Sequence, residues 1–351
     1  MTDRRAPVPF HPAMEQIDPQ EEAKVAGELA ETMVGISRKT FADGGRRLRS
    51  VHAKAHAVVR GTLEVLPGLP PAYAQGLFAT PGRFGVVMRF SSVPGDILPD
   101  RISTPRGLAI KVLKVPGARL PESEDPVQDF VLVNGPAFAA PSPAAFLANL
   151  KLLAATTDRV EGLKEVVSTV AGVAEKAVEA FGGQSPLLKT LGGEPQHHPA
   201  GETYHSQTPL LWGDFVGKVS VAPTSPALTA LSGTDVAVGD DPDGLRHAMS
   251  ALFQANGGGW DLRVQLCTDP DTMPIEDASV VWPESESPHV TVARITADPQ
   301  DAWSPTLTAA VDDGMAFSPW QGLAAHRPLG AVNRSRRVAY PRSAAFRLNE
   351  A

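Results

Sequence analysis

An arginine stands four positions before a tyrosine and another stands seven after it: Arg336, Tyr340 and Arg347. On a helix those offsets fall on nearly one side. A free phenol loses its proton near pH ~10, so holding it as phenolate at neutral pH costs roughly 4 kcal/mol. Direct ligation to a ferric iron supplies that, and a hydrogen-bonding guanidinium helps. Arg347 has the forked donors to pair with a carboxylate. Tyrosines between arginines are mostly structural, and Pro341 predicts a break or a helix start beside the phenol.

A second stretch, Arg49-Ser50-Val51-His52-Ala53-Lys54, sets a histidine among small neighbours. A neutral imidazole there can act as a general base, although a satisfied core histidine is the commoner case. Two further stretches, Arg89-Phe90-Ser91-Ser92 and Thr104-Pro105-Arg106-Gly107, precede the run Val133-Asn134-Gly135-Pro136-Ala137-Phe138, with Phe146 beyond. An asparagine amide can hydrogen-bond a small polar ligand, and two phenylalanines can pave a flat one. His197, His198 and His205 lack an acid or cysteine partner in sequence, which favours a solvated loop over a metal site. The single cysteine, Cys267, reads as a buried apolar thiol.

The elements that must carry these residues are legible as patterns. Val25, Leu29, Met33 and Ile36 recur at helical spacing within 19–39, behind Pro19, Glu21 and Glu22. Strands are expected at 52–65, 84–92, 107–115, 129–133, 213–221, 262–267 and 289–295. In the first, His52, Lys54, His56 and Val58 would share one face. A helical pattern covers 142–181 through Leu147, Leu150, Leu163, Val166, Val167, Val170, Val173 and Ala177. Residues 305–348 read as mixed loop and helix. The order suggests one α+β domain around an antiparallel sheet, with 1–18 an extended arm and 19–351 the domain.

With 351 residues, 42% hydrophobic and 20% charged, the chain is ordinary for a globular protein. Its 33 prolines and 31 glycines suit a strand-rich core with many turns. A net charge of −7 without a long basic block argues against nucleic acid. The C-terminal arginines, 334, 336, 337, 342 and 347, fit an anionic ligand or, more commonly, a solvated helix face. No run of about 18 apolar residues suggests a membrane span. Lone-cysteine usage fits a reducing cytoplasm.

Taken in order, VHAK, RFSS, PRG, NGPAF and RxxxY, then Leu262–Gln265, Val281-Trp282-Pro283 and Met315–Pro319, resemble the haem catalases from about Arg46 to Arg347. The likeness is to the short bacterial catalase-related branch. It implies an α+β, catalase-like antiparallel β-barrel core with surrounding helices, in a minimal form without the C-terminal extension. It also implies haem b as cofactor, with Tyr340 as the proximal iron ligand. Arg336 would contact that tyrosine, and Arg49, Arg89 and Arg347 would face the propionates. His52 would be the distal base, preceded by Val51, and Ser91 would bond the histidine. Phe138 and Phe146 would line the pocket, and Asn134 would take the distal asparagine's place. Two departures stand out: the family's usual Asn-Asn-Thr-Pro is here Val133-Asn134-Gly135-Pro136, and its acid two residues after the tyrosine is Arg342. The activity implied is a haem-dependent hydroperoxidase taking hydrogen peroxide or an organic hydroperoxide, with a small organic reductant; a homo-oligomer is compatible with it. The alternatives are a fatty-acid hydroperoxide-transforming enzyme of the same family and a non-enzymatic haem-binding protein.

Overall fold

Among the described residues, nine antiparallel strands form one sheet: β1 (Ala55–Val65), β2 (Arg83–Ser92), β3 (Arg106–Leu113), β4 (Val127–Val133), β5 (Tyr204–His205), β6 (Leu210–Trp212), β7 (Phe215–Pro223), β8 (Gly258–Leu266) and β9 (Val290–Ala297). The computed structural model describes residues 5–157 and 194–348. β1 to β4 follow one another as a meander, and β9, β8 and β7 run on from the other side of β1. β5 pairs with both β4 and β7, which closes an eight-stranded barrel; β6 lies outside the ring on β7. The fold is thus the expected α+β barrel.

Alternation along each strand separates two cores. Met88, Phe90, Ile110, Phe130, Tyr204 and Trp260 are buried together and fill the interior. The residues between them face outward: Val58, Val87, Ala109 and Val131 pack against Leu307, Val311 and Phe317.

Two long helices cover this outer face. α1 (Pro19–Gly44) starts on an Asp18 cap whose carboxylate accepts from the amides of Gln20 and Glu21, both at 3.1 Å, a contact worth about 1 kcal/mol. It ends on Gly45 in the left-handed region, φ 67°. Its buried stripe, Val25, Leu29, Ala30 and Met33, meets Leu147 and Leu150 of α2 (Pro143–Thr157) and Ala339 of α4 (Ala331–Leu348). α3 (Gly244–Asn256) packs against β1 and buries Leu245, Met249 and Phe253.

Three expectations change. β1 begins at Ala55, after His52, and a bulge between Ala55 and Ala57 breaks the alternation that would have put His52, Lys54, His56 and Val58 on one face. Pro341 does not interrupt α4. It removes the backbone bond to the Arg337 carbonyl, a cost of about 3 kcal/mol in a free helix. Buried Ala339 and Phe346 on either side of it, and ion pairs along the helix, hold the chain helical through it. Third, α3, β5 and β6 were not anticipated. The expected helix over 142–181 is seen as α2, and its positions from Leu163 to Ala177 lie outside the described residues.

The C-terminal arginines are largely structural. Arg334 bonds Glu22 and Glu276 and reaches Glu15 at 2.6 Å, while Arg337 pairs with Glu122 and Arg342 with Glu31. Among the described residues no helix is long and apolar enough to cross a membrane.

Candidate active site

His52 sits in the turn before β1 with φ 57°, a left-handed conformation that costs a non-glycine residue about 1–2 kcal/mol. The surroundings over-determine it. Its N–H donates to the Val93 carbonyl at 2.7 Å, and the Arg89 guanidinium donates to the His52 carbonyl at 2.9 Å. The ring lies directly over Gly107: a Cβ there would come within 2.4 Å of Nδ1 and Cε1. Nδ1 bonds Ser91 Oγ at 3.1 Å, leaving Nε2 without a partner among the described residues. Burial, reinforced by the charges of Arg89, Arg49 and Arg336, lowers the imidazole pKa to about 3. His52 is therefore neutral at any physiological pH.

Facing this histidine is α4. Tyr340 lines the same cavity as His52, and so do Ser343, Ala344 and Arg347 further along the helix. The cavity encloses about 80 Å³ and opens to solvent at its mouth. Val51, Ala109, Val131, Met33 and Phe317 supply apolar lining. Ser343 Oγ bonds Ser50 Oγ at 2.7 Å, and Ser50 bonds the buried Ser37 of α1 at 2.8 Å. This hydroxyl chain ties α4, α1 and the His52 turn together.

At one corner of the cavity three guanidiniums converge. Arg49 donates to the carbonyls of Val311, Asp312 and Met315 at 3.2, 2.9 and 2.8 Å. Arg347 donates to the carbonyls of Asp312, Asp313 and Met315. Arg89 holds the Asp312 carboxylate through Nε and Nη2 at 2.8 and 2.7 Å. The receiving segment, Thr308–Asp313, is a π-helical turn, which aims several carbonyls at one point. Asp312 is the buried carboxylate of this corner, and Asp313 turns to Arg46 at 2.7 Å. The corner is thus short of negative charge. Arg49 Nε is buried without a hydrogen-bond partner, and burial together with Arg89 and Arg347 drives that guanidinium's pKa well below its usual value.

The structure therefore brings Arg49, Val51, His52, Arg89, Ser91, Tyr340 and Arg347 around one cavity. Arg336, Phe138 and Phe146 form an adjoining group outside its lining. The Arg336 guanidinium lies 5.5 Å from the Phe138 ring centre, and the two phenyl rings are 5.0 Å apart. Arg336 donates to Thr208 Oγ1 and Asn333 Oδ1, one turn from Tyr340. Asn134 stands apart. Its Oδ1 accepts from the Arg106 amide at 2.9 Å, and its Nδ2 donates to Glu202 and Glu194. It follows the outward Val131 and Val133 by an odd step, so the pleat turns it to the other face.

Sequence reasoning passed over Asp312, Gly107 and Ser343. Three arginines expected at one place imply a buried counter-charge, a signal for Asp312. Gly107 lay within a noted motif but was given no role. His197 is half-exposed beside Asp235, His198 is buried, and His205 lies in β5. Among the described residues no cluster of three or more His, Cys, Asp or Glu side chains is placed to hold a metal ion. Cys267 is buried, as expected.

A second cavity of about 300 Å³ lies elsewhere, lined by Pro136, His205, Lys218, Gln265, Trp282 and His289 among others. Burial lowers Lys218 to about 8. Its ammonium rests 4.9 Å from the Trp282 ring centre.

A closed eight-stranded antiparallel barrel with helices laid across its outer face is the catalase-like fold. Three solved structures show the likeness. A fungal catalase aligns at TM-score 0.61 and 19% identity, covering 90% of this chain and 62% of the catalase. Catalase A from Saccharomyces cerevisiae aligns at TM-score 0.59 and 19% identity, covering 90% and 64%. A bacterial catalase aligns at TM-score 0.56 and 14% identity, covering 97% and 63%. The chain thus spans a little under two thirds of the length of each. No protein-family model and no curated protein matches the sequence.

Proposed function

We propose that this chain is a haem-dependent hydroperoxidase, with Tyr340 as the iron ligand and His52 as the proton-handling group opposite. The observation that carries the proposal is the shared cavity: a phenol from α4, an imidazole held neutral, and three guanidiniums at one corner. The residues fit a haem. A phenol is a hard donor suited to ferric iron. The corner of Arg49, Arg89 and Arg347 shares one buried carboxylate, Asp312, among three guanidiniums, and Arg49 Nε makes no hydrogen bond, which suits the carboxylates of a porphyrin. Once bound, the iron porphyrin supplies the redox chemistry of O–O cleavage.

The chain supplies placement and proton movement. Arg49, Arg89 and Arg347 fix the porphyrin's carboxylate edge, and Arg336 adds positive charge one turn from the phenol. With Nδ1 protonated and donating to Ser91, His52 presents a lone pair at Nε2. An imidazole titrating near 3 cannot store a proton at neutral pH. It accepts one from the inner peroxide oxygen and returns it to the outer oxygen, acting as a relay. Asn134 has no part in this site, because its amide is committed to Glu202, Glu194 and Arg106.

Absorption spectroscopy of haem-loaded protein tests the assignment. Wild type should show a high-spin ferric phenolate spectrum that Tyr340→Phe abolishes or shifts; an unchanged spectrum refutes the ligand. Asparagine tolerates a positive φ, so His52→Asn should keep the haem and lose peroxide turnover by about 10²–10⁴. Full turnover in that variant refutes the relay.

A further inference from the structure

Three residues stand side by side on the outer face of adjacent strands: Ser91 of β2, Gly107 of β3 and Val133 of β4, paired in register as Ser91 with Gly107 and Gly107 with Val133. His52 is built on this row. Its ring covers Gly107, and its Nδ1 edge is bonded to Ser91. The next position beyond the ring is Val133, because directly opposed residues on one face hold their Cβ positions about 4.5–5.5 Å apart. Two positions earlier on the same face is Val131, which lines the cavity. The amide of Asn134, the next residue along the chain, is engaged by the Arg106 amide, Glu202 and Glu194.

From these positions we infer that Val133 sets substrate preference, favouring hydroperoxides that carry an apolar carbon substituent over hydrogen peroxide; this rests on the hydroperoxidase reading. Hydrogen peroxide has a hydroxyl at both ends. In the pocket, His52 Nε2 can serve one of them, and the β4 residues that line it, Val131 and Leu132, carry no polar side chain for the other. A buried hydroxyl left unpaired is disfavoured, because it gives up its bonds to water and gains none in return. An alkyl hydroperoxide has a single hydroxyl, which His52 serves, and its carbon substituent lies against Val131 and Val133 with nothing polar stranded. The oxygen–oxygen bond broken and the proton moved by His52 are the same for both substrates. Only the fit of the non-reacting end differs, and that is where an apolar wall discriminates.

Val133→Thr is the test. Threonine keeps the branched shape and adds one hydroxyl beside the ring, and Val133→Ala controls for volume. Haem-loaded wild type should show a higher kcat/KM for cumene hydroperoxide than for hydrogen peroxide. Val133→Thr should move that ratio toward hydrogen peroxide by about tenfold, and Val133→Ala should not. A readout free of turnover accompanies it: cyanide, whose outer atom accepts a hydrogen bond, should bind the ferric Val133→Thr protein several-fold tighter than wild type, followed by absorbance. A wild type that prefers hydrogen peroxide, or a ratio and a cyanide Kd that stay within twofold in Val133→Thr, overturns the inference while leaving the hydroperoxidase reading intact. A haem-loaded wild type inert to both peroxides overturns the two together.

Discussion

At the scale of single residues the site depends on an absence as much as on functional groups. Gly107 has no side chain, and the His52 ring occupies the space a Cβ would need. Gly107→Ala should therefore push the imidazole off Ser91 while leaving Tyr340 and the arginine corner untouched. The expected outcome is normal haem uptake with peroxide turnover reduced by about 10²-fold, the loss typical of a misplaced catalytic group. A variant that turns over normally would show the ring has another seat. The residues that both the sequence motifs and the cavity lining single out are those with distinctive chemistry: His52, Ser91, Tyr340 and the arginines at 49, 89 and 347. Gly107 and Asp312 escaped because their roles are spatial, one an empty volume and the other a counter-charge from a turn some 200 residues from Arg89. Asn134 lies away from the cavity: it follows the last residue of β4, and its amide is committed to Arg106, Glu202 and Glu194.

Elements bring the two halves of the site together, and α4 is the decisive one. Its first turn is tethered by Arg334 to Glu15, Glu22 and Glu276, and Glu276 also accepts from the Ala331 amide at 2.8 Å. These carboxylates satisfy the helix's free N–H groups and favour its dipole, and they raise the guanidinium's pKa. Arg334→Ala leaves the partly buried Glu22 and Glu276 without their guanidinium, while Glu15 keeps Arg327 at 2.9 Å. It should destabilise the protein by on the order of 3 kcal/mol, read by denaturant unfolding, and speed proteolysis of the 5–18 arm. A loss below about 0.5 kcal/mol would mean the tether is ornamental. Long periodic elements were legible in sequence: α1, and the strands of the meander to within a few residues. The short ones were not. Two-residue β5 carries too few positions for any periodicity, and α4's continuity through Pro341 is set by tertiary packing that no local pattern encodes.

The whole molecule buries histidines in their neutral form. Desolvation lowers His52 to about 3 and His198, His205, His289 and His326 to about 4, and it also holds His56 well below its ordinary value. An unfolded chain protonates these near pH ~6.5. As pH falls from there toward 4, the unfolded state gains protons the folded state refuses, so stability is lost in that window and intact above it. Glu202 and Asp129, raised by burial to about 7 and about 6, act in the opposite sense, taking protons in the folded state first. Six histidines outweigh two carboxyls. The haem-free protein's Tm should therefore be highest near neutrality and fall steeply between pH 6.5 and 4; a flat Tm across that range would contradict the burial pattern.

The barrel is laced shut between β4 and β5 by the pairing of Val133 with His205. These neighbours in space are residues 133 and 205 in the chain, whereas β1 to β4 follow one another directly. Chain entropy makes the meander the cheap part to assemble and the seam the expensive part. A polypeptide emerging from synthesis would thus possess its histidine platform, Ser91 and Gly107 included, well before the cylinder closed. The tyrosine, on the last helix described, would arrive later still. Cofactor capture, which needs both sides, would belong to the end of folding.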